Sequence, residues 1–383
     1  MIVLKKIISL FLSFAVIFLC ALPAFAEEPQ ISAKAAVVMC AESGETVYSL
    51  NKDTKLSMAS TTKIMTALIA LEYGADDTMI TVTEEMVAVE GTSMGLRAGD
   101  SVSLKNLVKG MLLESGNDAA NATACIVGGN IPNFVKMMND KAKVLGMTST
   151  SFETPSGLDG DNHYSTAYDM ALLASYAIKN PEFRSICSAE SMAVYYGSPP
   201  YRRILTNHNK LLKIYDGAFG VKTGFTKKSG RCLVSAAEKE GKTLICVTLN
   251  APDDWNDHIK LFDYSFEKTN SHTVYKDLSN VRMKVVGGSA QSVGIEQSYV
   301  PKYTSVSDNF ELSCKVYLKQ FEYAPVSKGD VLGSILYFDK TGKIIFEIPL
   351  CAKESVQIAI TDNVKSKAES KISFKDRILN FFR

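Results

Sequence analysis

The sequence predicts an α+β fold: an antiparallel sheet packed with helices and a helical lobe, followed by a small β-rich domain and a C-terminal amphipathic helix. Three observations carry this. Strand-like runs stand near residues 33–50 and again from 218 to 249, with helical spacing between them. From residue 271 to 361 the chain holds short β runs broken by Gly, Pro and Ser. The last dozen residues return to helical spacing, with basic residues between the apolar ones. A strand pair, then helices, then strands and a closing helix is the pattern of an antiparallel sheet with helices packed on it.

Residues 1–26 read as an export signal. Lys5 and Lys6 precede an apolar run from Ile7 to Leu19, and Ala24-Phe25-Ala26 offers a small-x-small cleavage site ahead of Glu27. The run is short for a membrane span, which favours cleavage over anchoring. The main domain is expected over 27–270. Ala33 to Leu50 reads as a hairpin around Ser43-Gly44. Ile64, Met65, Ala67, Leu68 and Leu71 recur at helical spacing, with Gly74 as the stop, so a buried helix is expected over 61–71. Further helices are expected at 104–113, 119–127, 131–145 and 166–178, making the middle a helical lobe. Strands follow at 218–225, 232–236 and 244–249, then a helix over 255–266.

A β-rich domain is expected over 271–361, with runs at 281–286, 311–318, 331–338 and 343–348. Residues 362–383 read as a polar linker and a helix that places Phe374, Ile378 and Phe381 or Phe382 on one face. From residue 365 onward there are six basic and two acidic residues, so this helix is suited to lie on an anionic membrane surface.

Composition excludes several function classes. The net charge is +1, and loss of Lys5 and Lys6 with the signal takes it to −1, so nothing suggests a nucleic acid partner. Eight cysteines fall to seven without Cys20, scattered and with no C-x-x-C, which argues against a disulfide framework and for single buried thiols. His163, His208, His258 and His272 lack ligand-type spacing, so no metal and no cofactor are expected. His208, between Asn207 and Asn209, reads as an exposed loop residue.

Three short strings carry chemistry: Ser60-Thr61-Thr62-Lys63, Ser115-Gly116-Asn117 and Lys222-Thr223-Gly224. A serine hydroxyl is a weak nucleophile at neutral pH and needs a base within hydrogen-bond reach and donors aimed at the oxyanion it creates. Ser60 and Lys63, three apart at a helix start, share a face with Cβ atoms roughly 5–6 Å apart. The helix N-terminus favours a developing alkoxide. A lysine ordinarily titrates near about 10.4, so Lys63 must be desolvated or held beside another cation, for which Lys222 is the candidate. Ser115 and Asn117, in the turn between two helices, can relay a proton and bond a substrate amide. Lys222 and Thr223 can hold a carboxylate.

Each string alone is weak. Ser265 to Lys268, Ser307-Asp308-Asn309 and Lys340-Thr341-Gly342 repeat all three patterns. That second set has no helical lobe between its members, and its last string falls in a turn formed by Asp339 and Gly342, so it reads as coincidence. The first set has an apolar helix behind its serine, helices flanking Ser115 and a strand carrying Lys222.

With Met58-Ala59-Ser60, Leu113 to Ala120, Pro155-Ser156-Gly157-Leu158-Asp159, Tyr164 to Met170, Asp216-Gly217 and Val221 to Thr226, the chain resembles the low-molecular-weight penicillin-binding proteins. Specifically, it resembles the serine-type D-alanyl-D-alanine carboxypeptidases of the S11 peptidase family. The resemblance implies a penicillin-binding-protein/β-lactamase-like catalytic domain over 27–270. It implies Ser60 as nucleophile, Lys63 as general base, and support from Ser115 and Asn117. Substrate would be held at Lys222, Thr223, Gly224 and Phe225. The backbone N–H groups of Ser60 and Phe225 would form the oxyanion hole. Phe225 departs from members that carry His after K-T-G. Implied partners are peptidoglycan stem peptides, β-lactams as covalent inhibitors and a membrane surface, with the protein exported to the outer face of the cytoplasmic membrane. Rival readings are a class A-like β-lactamase, which needs an E-x-x-L-N glutamate not found after Ser115, and a membrane-tethered sensor that acylates without turnover. An endopeptidase cutting cross-links is a nearer neighbour within the family.

Overall fold

The computed structural model describes residues 28–308 and 310–359. The expected export signal (1–26) and the linker with its amphipathic helix (362–383) lie outside the described residues. The described chain divides into two units, one holding 28–38, 48–237 and 245–268, the other 39–47, 238–244 and 269–359 except 309.

In chain order, β1 (Ala35–Cys40) and β2 (Thr46–Leu50) form the opening hairpin, and a 3-10 turn at Ala59–Thr62 runs into α1 (Lys63–Tyr73). Then come β3 (Met79–Thr81), α2 (Glu84–Val87), β4 (Ser101–Ser103), α3 (Leu104–Leu113), α4 (Asn117–Gly128), α5 (Ile131–Val144), α6 (Ala167–Ala177) and α7 (Pro181–Ser188). β5 (Ser191–Gly197), β6 (Pro200–Thr206), α8 (Leu211–Ile214), β7 (Ala218–Thr226), β8 (Gly230–Lys239), β9 (Lys242–Leu249) and α9 (Asp254–Glu267) complete the run. Strand order in the main sheet is β2-β1-β9-β8-β7, which joins the opening hairpin to the late strands as the sequence implied.

All six residues of β1 are buried, as a short continuous apolar run in a central strand should be. α1 buries every residue from Lys63 to Ala70, so it is apolar all round, and Gly74 ends it at a φ of 102°. Ser103 caps α3 by accepting the Asn106 N–H, and Thr166 caps α6 by accepting that of Asp169. The expected helices 104–113, 131–145 and 166–178 stand to within a residue or two. A second, four-stranded sheet in the order β3-β4-β5-β6 was not foreseen. β3 and β4 are three residues each, too short to show a period, and β5 and β6 carry tyrosines and arginines on exposed positions in place of an apolar alternation.

The second unit contains a two-stranded sheet of β10 (Asn270–Thr273) and β13 (Lys302–Ser305). With β11 (Arg282–Val286), β12 (Ser292–Gln297), β14 (Ser313–Leu318), β15 (Glu322–Tyr323), β16 (Val331–Phe338) and β17 (Ile344–Ala352), the six-stranded sheet runs β14-β16-β17-β12-β11-β15. Its core is Met283, Val293, Ile295, Leu332, Ile335, Ile348 and Leu350 with their neighbours. Every cysteine among the described residues is a free thiol, and Cys40, Cys187, Cys232 and Cys246 are buried.

His258 on α9 ties that helix to the sheet, with Nδ1 on Ser235 Oγ of β8 and Nε2 2.9 Å from Thr248 Oγ1 of β9. Burial pushes its pKa down to about 3. Since the unfolded value is about 6.5, the unfolded chain binds the extra proton between the two. Stability is therefore full above that unfolded value and is lost as pH falls toward the folded one. The thermal midpoint should drop through this window, and a His258→Gln variant should show a shallower drop; equal slopes would remove His258 from the acid response.

Candidate active site

Ser60 sits on the 3-10 turn before α1, a turn held by Thr61 Oγ1 donating to Met58 O at 2.6 Å. Ala59 before it has a φ of +48°, a left-handed conformation that a non-glycine residue keeps only when its surroundings impose it. Lys63 is fully buried, and its Nζ has three neighbours: Ser60 Oγ at 2.8 Å, Asn117 Oδ1 at 2.7 Å and Ser156 O at 2.6 Å. Asn117 Nδ2 donates to Glu90 O at 2.6 Å, which turns its oxygen toward Lys63.

All three can accept from Lys63 Nζ, and two of them also suit the neutral amine that a base must become. Such an amine has two N–H groups and one lone pair; the carbonyls of Asn117 and Ser156 can only accept, so they take the two hydrogens. The lone pair is left for the Ser60 hydroxyl. Burial lowers the Lys63 pKa well below its ordinary value, the charge of Lys222 lowers it further, and Asp118 opposes both.

Ser115, at the end of α3, has a φ of +60°. Its carbonyl accepts from Thr92 Oγ1 at 2.7 Å, and the Asn117 N–H donates to Thr92 O at 2.7 Å, so the 92–96 segment is laced to the turn. Asp118 completes the lacing. Its buried carboxylate accepts from Ser93 Oγ at 2.6 Å and from the backbone N–H groups of Met94, Gly95 and Leu96 at 3.0–3.1 Å. It also lies in the first turn of α4, where the helix dipole favours negative charge.

β7 brings the third string. A Cβ on Gly224 would lie 3.1 Å from Met58 O, Ser60 N and Thr61 N, so glycine lets the strand approach the nucleophile's backbone closely. Ser60, Thr92, Ser115, Thr223, Gly224 and Phe225 line a cavity of about 360 Å³. Lys222 is buried, with Nζ donating to Thr223 O at 3.0 Å and a pKa pushed down to about 7 by burial. Of the eight expected residues, five line the cavity, Asn117 bonds Lys63, and Lys222 acts on Lys63 through its charge.

The same cavity is lined by His208, Lys210, Arg231, Asp254 and Trp255, which motif reading passed over. His208 is the exposed loop residue that the sequence implied, and its ring also lies 3.5 Å from Glu114, next to Ser115. Arg231 is the cross-strand partner of Phe225. Its guanidinium gives Asp254 Oδ1 two contacts of 2.9 Å and lies 5.5 Å from the Trp255 ring centroid. The signal for Arg231 was available in the short Thr226-to-Gly230 turn, which sets it opposite Phe225. Of the second motif set, Ser307, Lys340 and Thr341 line one cavity of about 290 Å³ within the second unit, without the serine–lysine pair. Ser265 belongs to the first unit and Lys340 to the second, and Asp339 accepts the N–H groups of Thr341 and Lys343 in an ordinary turn.

The family described as Peptidase_S11, D-alanyl-D-alanine carboxypeptidase, matches residues 23–253. D-alanyl-D-alanine carboxypeptidase DacF of Bacillus subtilis is 33% identical over 340 residues, covering 85% of this chain and 86% of that protein. DacC of Escherichia coli is 34% identical over 368 residues, covering 90% of each. Among solved structures, penicillin binding protein 5 from Haemophilus influenzae superposes with a TM-score of 0.61 at 30% identity, covering 86% of this chain and 98% of that one.

Asp118→Ala would strand several backbone N–H groups at once, at roughly 1–3 kcal/mol for each one left buried without a partner. Lower thermal stability together with slower penicillin acylation is expected; a variant that acylates at the wild-type rate would show that the 92–96 segment does not support Asn117.

Proposed function

The chain belongs to the S11 peptidase family, the D-alanyl-D-alanine carboxypeptidases, and from that premise we propose how its own residues carry the reaction. It is a serine hydrolase of peptidoglycan peptides and a penicillin-binding protein; its relatives do not favour a non-turnover sensor or a class A-like β-lactamase. Ser60 Oγ attacks the carbonyl carbon of the penultimate D-Ala while its proton passes to the Lys63 lone pair. The oxyanion forms against the backbone N–H groups of Ser60 and Phe225. The proton returns through Ser115 to the leaving amine, the C–N bond breaks, and terminal D-Ala departs. Water, deprotonated by the Lys63 amine, then attacks the ester carbonyl; the C–Oγ bond breaks, the proton returns from Lys63 to Ser60 Oγ, and the shortened peptide leaves. The observation that carries this reading is the buried Lys63 Nζ, 2.8 Å from Ser60 Oγ, with two carbonyls placed to take its N–H groups when it is neutral.

Thr223 and Arg231 are the groups suited to the terminal carboxylate. Thr223 offers a hydroxyl on the cavity wall, and Arg231 a guanidinium held in place by Asp254 and about two-fifths exposed. Lys222, buried and bonded to the Thr223 carbonyl, acts on Lys63 through its charge. The exported location rests on residues 1–26. The basic, apolar-faced sequence of 372–383 supports attachment to an anionic membrane. The β-rich unit would be an accessory domain joined to it.

Penicillin-sensitive D-alanine release from a diacyl-Lys-D-Ala-D-Ala peptide is expected, abolished by Ser60→Ala. Arg231→Leu should raise KM by about 10-fold or more with a smaller change in kcat, as loss of a charged contact at about 1.5–3 kcal/mol implies. Release that survives Ser60→Ala would refute the acyl-enzyme, and an unchanged KM in Arg231→Leu would remove Arg231 from recognition. Deleting residues 372–383 should move active protein from the membrane fraction to the soluble one; unchanged partitioning would dismiss the anchor.

A further inference from the structure

His163 is a buried side chain that the reaction leaves unused, and its hydrogen bonds lead to the base. Its Nδ1 accepts the backbone N–H of Glu153 at 2.9 Å and, more distantly, that of Thr154 at 3.4 Å, so this nitrogen carries no proton. The proton therefore sits on Nε2, which donates to Thr62 Oγ1 at 2.8 Å. One imidazole thus joins segment 153–157 to the residue immediately before Lys63. Thr66 Oγ1 donates to Pro155 O at 2.6 Å, and the Gly157 N–H to Thr154 Oγ1 at 3.1 Å, which hold the segment against α1. Its contact with the reacting groups is the Ser156 carbonyl, 2.6 Å from Lys63 Nζ.

We propose that His163 is a positioning residue for the proton transfer: it clamps segment 153–157 onto the turn that bears Ser60, and so fixes the Ser156 carbonyl that directs the Lys63 lone pair at the serine. This rests on Lys63 being the base of Ser60. A carbonyl free to move releases one N–H of the amine, and the lone pair then samples other directions. Loosening the segment also admits water to Lys63, which favours the ammonium form. The charged groups acting on Lys63 are Lys222 and Asp118, and a change at His163 alters neither. His163 itself is neutral in this role. Burial lowers its pKa to about 4, Lys228 and Lys63 assist, and Glu153 and Asp159 pull the other way.

The experiment measures penicillin acylation and D-alanine release across pH for the full chain, with thermal midpoints alongside, in wild type, His163→Leu, His163→Gln and Thr62→Val. His163→Leu and Thr62→Val should lose roughly 10- to 100-fold in acylation, a fraction of what a positioned base contributes. Their acid limbs should move to higher pH as Lys63 regains water. Gln, whose carbonyl and amide can replace both ring contacts, should keep most of the rate and the wild-type limb. A lowered thermal midpoint with an unmoved acid limb means a merely structural histidine and overturns the inference. Should His163→Leu not fold, Thr62→Val decides in the same way. Wild-type protein that neither releases D-alanine nor takes up penicillin would sink the underlying reaction instead.

Discussion

A lysine amine held out of water is the constraint on which the catalytic unit depends. Lys63 begins α1 with no exposed surface, so its charge is disfavoured and each of its contacts must come from protein. Much of the surrounding architecture serves that condition. The apolar faces of α1 shut out solvent, Asn117 and Ser156 satisfy the N–H groups, and Lys222 adds a second cation that presses the proton off. A hydrophobic pocket without those acceptors would leave the amine unsatisfied, and acceptors in open water would leave it protonated. The chemistry needs both together.

Holding that amine in register draws in backbone from distant parts of the chain. Ala59 and Ser115 both occupy left-handed conformations without being glycine, and each lies beside a reacting group. Gly157 packs so closely that a Cβ would meet the Ala59 carbonyl, and Gly224 approaches the same turn from β7. Strain and close approach therefore converge on the few residues around Ser60, where Thr61, Thr62, His163 and Asp118 supply the bonds that sustain them.

How much of this was legible in the sequence follows from what the pattern encodes. α3 was read to the residue because Leu104 to Leu113 repeats at helical spacing, and β16 likewise because Val331 to Phe338 is a compact apolar run between Gly329-Asp330 and Asp339. The catalytic strings were legible because nucleophile and base lie three residues apart on one face. The hairpin of β5 and β6 was not, since Tyr195, Tyr201 and Ile204 are exposed while Val194, Tyr196 and Leu205 are buried, which blurs any alternation. Asp254, Trp255 and His208 reach the cavity through tertiary contact alone, and no local spacing marks them, whereas only the β7–β8 turn hinted at Arg231. Nor could a pattern show that Lys222 is buried: a lysine on a strand has the same letter whether its ammonium is solvated or enclosed.

The buried thiols of the fold have a further bearing. Burial pushes Cys40 and Cys187 up to about 12, Cys232 up to about 11 and Cys246 well above its ordinary value. At neutral pH such sulfurs hold almost no thiolate, the species that attacks disulfides and oxidants. The catalytic machinery uses no sulfur either, so neither its assembly nor its turnover is coupled at these four positions to the thiol–disulfide poise of its surroundings. Once folded, these four thiols resist oxidation in an oxidising milieu as in a reducing one.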